Sequence, residues 1–143
     1  MRAWKERGLR HLAACAAELV VEHVERPAVD LITYVPSDPI RQLGRGRHPA
    51  EALARELAGR WELELVSVLE RGHAAERQAT LPYARRGVNV RGAFTARRSL
   101  AGRVLLVDDV YTTGSTVSAA ASALRRHGVS VVEVVTLARA IRR

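Results

Sequence analysis

Cysteine is almost missing from this sequence: Cys15 stands alone among 143 residues, which excludes an intrachain disulfide and any multi-cysteine zinc site. Its alanine neighbours put it on a helical face and predict a buried structural thiol rather than a nucleophile. Aromatic residues make up only 4% of the chain. The core therefore has to be built from Leu, Val and Ala, and the stacking platforms of single-stranded nucleic-acid binders are lacking. Trp4 and Trp61 read as packing anchors. No apolar run reaches the length of a membrane span, because Arg or Glu interrupts every candidate. The opening Met1-Arg2-Ala3-Trp4-Lys5-Glu6 carries acid and has no signal h-region, so no secretory leader is expected there. What remains is ordinary for a globular fold, 48% apolar and 27% charged, and predicts one cytoplasmic domain over residues 1–143 with no membrane partner.

Charge is present in quantity and unevenly placed. The net charge is +8, yet residues 1–70 sum to −1 and residues 71–143 to +9. Arginine carries nearly all of the positive charge, 22 residues against the single Lys5. A concentrated guanidinium field suits a phosphate-rich partner, and a solvated basic face is the plain alternative.

Along the chain, Leu9, Leu12, Ala13, Ala16, Leu19, Val20 and His23 recur at helical spacing and predict a helix over residues 3–24, ended by Arg26-Pro27. Leu31 to Val35 reads as a short strand stopped by Pro36, and residues 37–48 as a loop rich in Gly and Arg. A second helix begins near Pro49 and stops at Gly59, with a second strand candidate from Trp61 to Leu69. Residues 70–99 follow neither period and hold seven arginines and Pro82, the pattern of a long functional loop or hairpin rather than core. Val104 to Val107 is an unbroken apolar strand, Val117 to His127 a helix stopped by Gly128, and Val131 to Leu137 a final strand. That last third is β-loop-α-β, the unit of a parallel sheet.

The chemistry concentrates between the strand and the helix of that unit. The chain has four aspartates, and two of them, Asp108 and Asp109, end the apolar strand. Strands deliver ligand contacts at their carboxyl ends. Thr112, Thr113, Gly114, Ser115 and Thr116 follow, then the helix. Hydroxyls, a glycine and the unpaired N–H groups of a helix N-terminus together make an anion cradle. Carboxylates beside such a cradle make sense when the ligand also offers hydroxyls or a divalent cation, as a sugar phosphate carrying Mg²⁺ does. No Gly-x-x-x-x-Gly-Lys-Ser/Thr occurs, which excludes a P-loop nucleotidase. Only 34 residues follow Asp109, too few for a phospho-acceptor receiver. A simple helix cap needs one hydroxyl, whereas this segment has four.

Val104 to Thr116 resembles the signature of type I phosphoribosyltransferases. The wider chain resembles their ComF/GntX branch, named for a competence protein in DNA uptake, at Val35-Pro36, Arg45-Gly46, Ala50-Glu51, Gln78, Leu81, Arg85, Asn89 to Phe94 and Leu137-Ala138-Arg139. That branch often opens with a cysteine-rich zinc module, which is lacking here. Where it usually has Arg-Gly-Phe-Asn-Gln, this chain has Arg45-Gly46-Arg47-His48-Pro49. The resemblance implies an α/β fold, a type I phosphoribosyltransferase-like parallel sheet flanked by helices, with an Arg-rich flap at about 70–99.

By the same resemblance, Asp108 and Asp109 hold the ribose hydroxyls of phosphoribosyl pyrophosphate (PRPP) as catalytic residues, and Thr112 to Thr116 hold the 5′-phosphate. Pro36, Ser37 and Asp38 approach the pyrophosphate, with Mg²⁺ carried mainly on the ligand. From the residues themselves, Arg41, Arg45 and Arg47 beside glycines read as pyrophosphate contacts or equally as a solvated loop, and Arg77, Arg85, Arg86 and Arg91 as phosphate clamps on loop closure. Any role for Lys5 rests on the resemblance alone, and His48 has no acidic partner in sequence. The implied reaction transfers phosphoribosyl to an unknown nitrogen acceptor with release of pyrophosphate. A non-catalytic accessory of DNA uptake or a PRPP-sensing regulator is the alternative, with weak nucleic-acid binding and a homodimer left open.

Overall fold

The computed structural model describes residues 2–37, 48–72, 92–111 and 113–139. Its elements are α1 (Arg2–His23), β1 (Leu31–Tyr34), α2 (Pro49–Trp61), β2 (Glu64–Leu65), β3 (Leu69–Arg71), β4 (Phe94–Ala96), β5 (Gly102–Tyr111), α3 (Ser115–Arg126) and β6 (Val129–Arg139). Among the described residues, four strands form a parallel sheet in the order β2-β1-β5-β6, and β3 and β4 form a separate antiparallel pair.

Alternation along the strands splits the core into two layers. Leu31, Val35, Val104 and Leu106 pack on one face with Val117, Ala120 and Leu124 of α3 and with Phe94 of β4. Ile32, Leu105 and Val107 pack on the other face with Ala16 and Ala17 of α1 and with Leu53, Ala54 and Leu57 of α2. Strands covered on both faces are apolar throughout, which is why Val104 to Val107 lacks alternation. The expected parallel sheet with helices on both faces is what the chain forms. No helix of the described residues is long and apolar enough to cross a membrane.

Several expectations are corrected. In α1 the buried stripe is Ala13, Ala16 and Ala17, while Leu12 and Leu19 are 67% and 58% exposed. Both stripes have helical spacing, but the alanine face lets α1 lie close on α2, where Arg60 Nη2 donates to the Ala14 carbonyl at 3.3 Å. Cys15 is consequently exposed rather than buried. Helix α2 continues past Gly59, because Trp61 is buried and its carbonyl accepts from Arg26 Nε at 2.8 Å. It ends where Glu62 turns left-handed, at φ 52°. The strand expected from Trp61 to Leu69 is instead the short β2 and the start of β3. The segment expected to stay out of the core contributes to it at its described ends: Ala93, Phe94 and Ala96 are buried, and β4 pairs with β3. Residues 73–91 of the expected flap lie outside the described residues.

Candidate functional site

The strand order sets the location. From β1 the chain crosses to β2 on one side, and from β5 it crosses to β6 on the other. In such a sheet the crevice opens at the carboxyl ends of the two strands where the order reverses. Here those are β1 and β5, joined just past the end of β1 by the Val35 N–H donating to the Val107 carbonyl at 2.9 Å. Pro36 and Ser37 leave β1 at this point, while Asp108 and Asp109 follow Val107 inside β5, which does not end at the acids as expected but runs on to Tyr111 because it stays paired with β6.

Both carboxylates brace the backbone beside them. The Asp109 N–H donates to Asp108 Oδ1, and the Val110 N–H to Asp109 Oδ1, each at 2.9 Å. Asp108 is buried and Asp109 half-buried. Burial pushes the Asp108 carboxyl up to about 6, helped by the neighbouring Asp109 carboxylate and opposed by the Asp109 N–H and the Arg71 guanidinium. A buried acid held in reach of its charged form at the mouth of a crevice is an arrangement suited to hydroxyl or amine recognition.

Only residues 112–114 separate β5 from α3. Gly114 stands at the N-cap of α3 with φ 76°, where it has no side chain to cap the first turn. A Cβ there would come within 2.3 Å of the Tyr111 hydroxyl, so both the space and the backbone angle demand glycine. Thr113 Oγ1 and Ser115 Oγ lie 2.8 Å apart on exposed residues, and Thr113 Oγ1 accepts a long bond from the Ser115 N–H at 3.4 Å. The result is a compact donor cluster with the positive end of a helix dipole behind it, the physical requirement for an oxyanion.

Comparison with known proteins gives the family. Residues 43–143 match the phosphoribosyl transferase domain family. This chain belongs to that family. It is similar to competence protein F of Haemophilus influenzae, 32% identical over 142 residues that cover 96% of this chain and 62% of that protein. It is also similar to the DNA utilization protein YhgH of Escherichia coli, 35% identical over 117 residues, or 78% of this chain and 50% of that one. The chain thus spans between half and two thirds of the length of these curated relatives. In structure it resembles the glutamine PRPP amidotransferase of B. subtilis complexed with ADP and GMP, with a TM-score of 0.58 at 23% identity over 90% of this chain and 26% of that one. At that identity the likeness speaks for the fold.

Within this phosphoribosyltransferase-type domain, Pro36, Ser37, Asp108, Asp109, Thr113, Gly114, Ser115 and Thr116 come together around the β1–β5 crevice and the start of α3. Asp38, Thr112, Arg45, Arg85 and Arg91 lie outside the described residues. His48 stands just ahead of α2 with its Nδ1 accepting from the Ser37 N–H at 3.0 Å, which ties it to the crevice. Sequence reasoning missed Arg71 as an individual site residue. Its Nε donates to the Pro36 carbonyl at 3.1 Å, and its guanidinium lies 5.2 Å from the Phe94 ring centre. The available signal was its place as the first of the arginines at 70–99.

Proposed function

We propose that this domain binds PRPP with Mg²⁺ and transfers its phosphoribosyl group to a nitrogen acceptor, releasing pyrophosphate. The observation that carries this reading is the pairing of two carboxylates in the last third of β5 with a hydroxyl-lined helix N-terminus that begins six residues after Asp109. A sugar phosphate with adjacent free hydroxyls satisfies both halves of that arrangement. In this reading Asp108 and Asp109 accept from the ribose hydroxyls, while Thr112, Thr113, Gly114, Ser115 and Thr116 receive the 5′-phosphate. Pro36 and Ser37 face the pyrophosphate, and Arg45, Arg85 and Arg91 complete its neutralisation.

The chemistry asks little covalent work of the protein. As the bond from C1 of the ribose to the pyrophosphate breaks, positive charge develops on the sugar and negative charge on the leaving group. The carboxylates hold the ribose in position, and the cradle anchors its phosphate. In this reading the metal travels on the ligand, bound to its phosphate oxygens. Bound Mg²⁺ would supply charge neutralisation at the pyrophosphate.

Thermal unfolding with PRPP and Mg²⁺ tests the binding: ligand at 100 times its dissociation constant should add about 2.7 kcal/mol. No shift at millimolar ligand and metal would sink it. Pyrophosphate release measured across nucleobases and amines tests the transfer and identifies the acceptor. The names of the curated relatives favour a second reading, a ComF-like accessory of DNA uptake that keeps the cradle for binding alone. PRPP binding without pyrophosphate release from any acceptor would select it.

A further inference from the structure

The peptide group joining Pro36 to Ser37 is gripped at both polar ends. Its carbonyl oxygen accepts from Arg71 Nε at 3.1 Å, and its N–H donates to His48 Nδ1 at 3.0 Å. A peptide group is planar, so a bond at each end fixes its rotation about the chain as well as its position. The two side chains come from separate places in the fold, Arg71 from the last residue of β3 and His48 from the residue ahead of α2. Each is backed by ordered structure. Arg71 lies over the ring of Phe94, its cross-strand partner, and the His48 carbonyl accepts from the Ala52 N–H at 3.0 Å in the first turn of α2.

His48 occupies the N-cap position of α2, yet its side chain makes no cap bond there. The imidazole is directed to Ser37 instead. Accepting at Nδ1 requires that nitrogen to be unprotonated, which leaves Nε2 to carry the ring proton. The gripped peptide lies one residue beyond Val35, whose N–H joins β1 to β5 immediately before Asp108.

We infer that His48 is a positioning residue: by holding the Pro36–Ser37 peptide at the β1–β5 crevice, it sets the affinity of the site for the pyrophosphate half of the ligand. This rests on the reading of the crevice as a PRPP site. In that reading the ribose and its 5′-phosphate are met by residues of β5, the turn after it and α3, none of which belongs to the Pro36–Ser37 peptide, so a change confined to that peptide should spare their binding.

The experiment compares the wild type with His48→Ala and His48→Asn. The asparagine Oδ1 is bonded to Cγ as Nδ1 is, so it presents an acceptor at similar reach. Two measurements are made on the full chain. Hydrogen exchange of the Ser37 amide reads the grip itself, and titration calorimetry gives affinities for Mg-pyrophosphate, Mg-PRPP and ribose 5-phosphate. In His48→Ala, Ser37 exchange should rise about tenfold and the affinities for pyrophosphate and PRPP should fall about tenfold, the worth of one hydrogen bond, with ribose 5-phosphate unchanged. His48→Asn should restore all of these to within about threefold of the wild type.

Equal weakening of all three ligands would mean a general structural role and would overturn the inference. So would unchanged pyrophosphate affinity in His48→Ala in a protein whose wild type binds all three. A wild type that binds none of the three defeats the proposed function itself, and the inference with it.

Discussion

The two parallel β-α-β units of this domain solve the same packing problem with different joints. In β5–α3–β6 the strands run for 10 and 11 residues, and only residues 112–114 lie between the strand and its helix. In β1–α2–β2 the strands are 4 and 2 residues long, and residues 35–48 lie between strand and helix. The tight joint brings carboxylates, hydroxyls and helix amides together by local chain geometry. At the other joint, the peptide facing the same crevice is set by His48 and Arg71, which are distant from it in sequence. One unit carries its chemistry in consecutive residues, and the other borrows it through tertiary contacts.

The largest expected effect tests whether the carboxylates of the tight joint serve a ligand. Asp108→Asn with Asp109→Asn should leave the fold intact and lower PRPP affinity on the order of 100-fold or more, since each lost acceptor was a charged one. Calorimetric titration and circular dichroism check the two halves of the claim. A double variant that unfolds, or binds as well as the wild type, would make the pair structural.

The pH dependence sharpens the same point. Burial first, and the Asp109 carboxylate after it, hold Asp108 at about 6 against an ordinary value of 3.8. Because the folded value is raised, the contribution of this group to stability is whole below about pH 4 and is lost as pH climbs through 6, amounting to about 3 kcal/mol at neutral pH. Urea unfolding should therefore show Asp108→Asn gaining on the wild type between pH 4 and 7, in the absence of ligand. PRPP affinity of the wild type should move the opposite way and rise across pH 6, as the accepting carboxylate forms. A constant difference between the two proteins over that range would remove Asp108 as the titrating group.

Two glycines contrast the tight joint with an open helix surface. Gly114→Ala should cost about 2 kcal/mol, because its Cβ would meet the Tyr111 hydroxyl and its backbone sits in the left-handed region. Gly59→Ala, inside α2 with open space around it, should stabilise by about 0.5–1 kcal/mol. Opposite signs in thermal unfolding are the expected result, and equal signs would mean that the tight joint relaxes freely. The smallest effect belongs to the exposed Arg55–Glu51 pair on α2, 2.9 Å apart. Glu51→Gln should change stability by less than about 0.5 kcal/mol.

Much of this was legible in the amino-acid order. Val104 to Val107 showed as a buried strand because both of its faces are covered, and Gly128 marked the end of α3. Asp108, Asp109 and the hydroxyls after them were legible for the same local reason. The mistakes came where partners are distant. The buried face of α1 follows alanines rather than leucines because closeness to α2 decides it, and α2 outruns Gly59 because Trp61 finds a pocket and Arg26 caps its carbonyl. The ends of the Arg-rich stretch joined the core because β3 and β4 pair across residues far apart in the chain.

By itself, then, the sequence determined the apolar strand, the acid pair and the hydroxyl-rich turn into α3. Each depends on residues within a few positions of one another, where backbone geometry leaves little freedom. Only the tertiary structure decided that β1 lies beside β5, that the order of strands reverses between them, and that Arg71 and His48 meet at one peptide group. Those outcomes depend on which surfaces pack together, and packing is a sum over contacts between residues that the linear order does not place side by side.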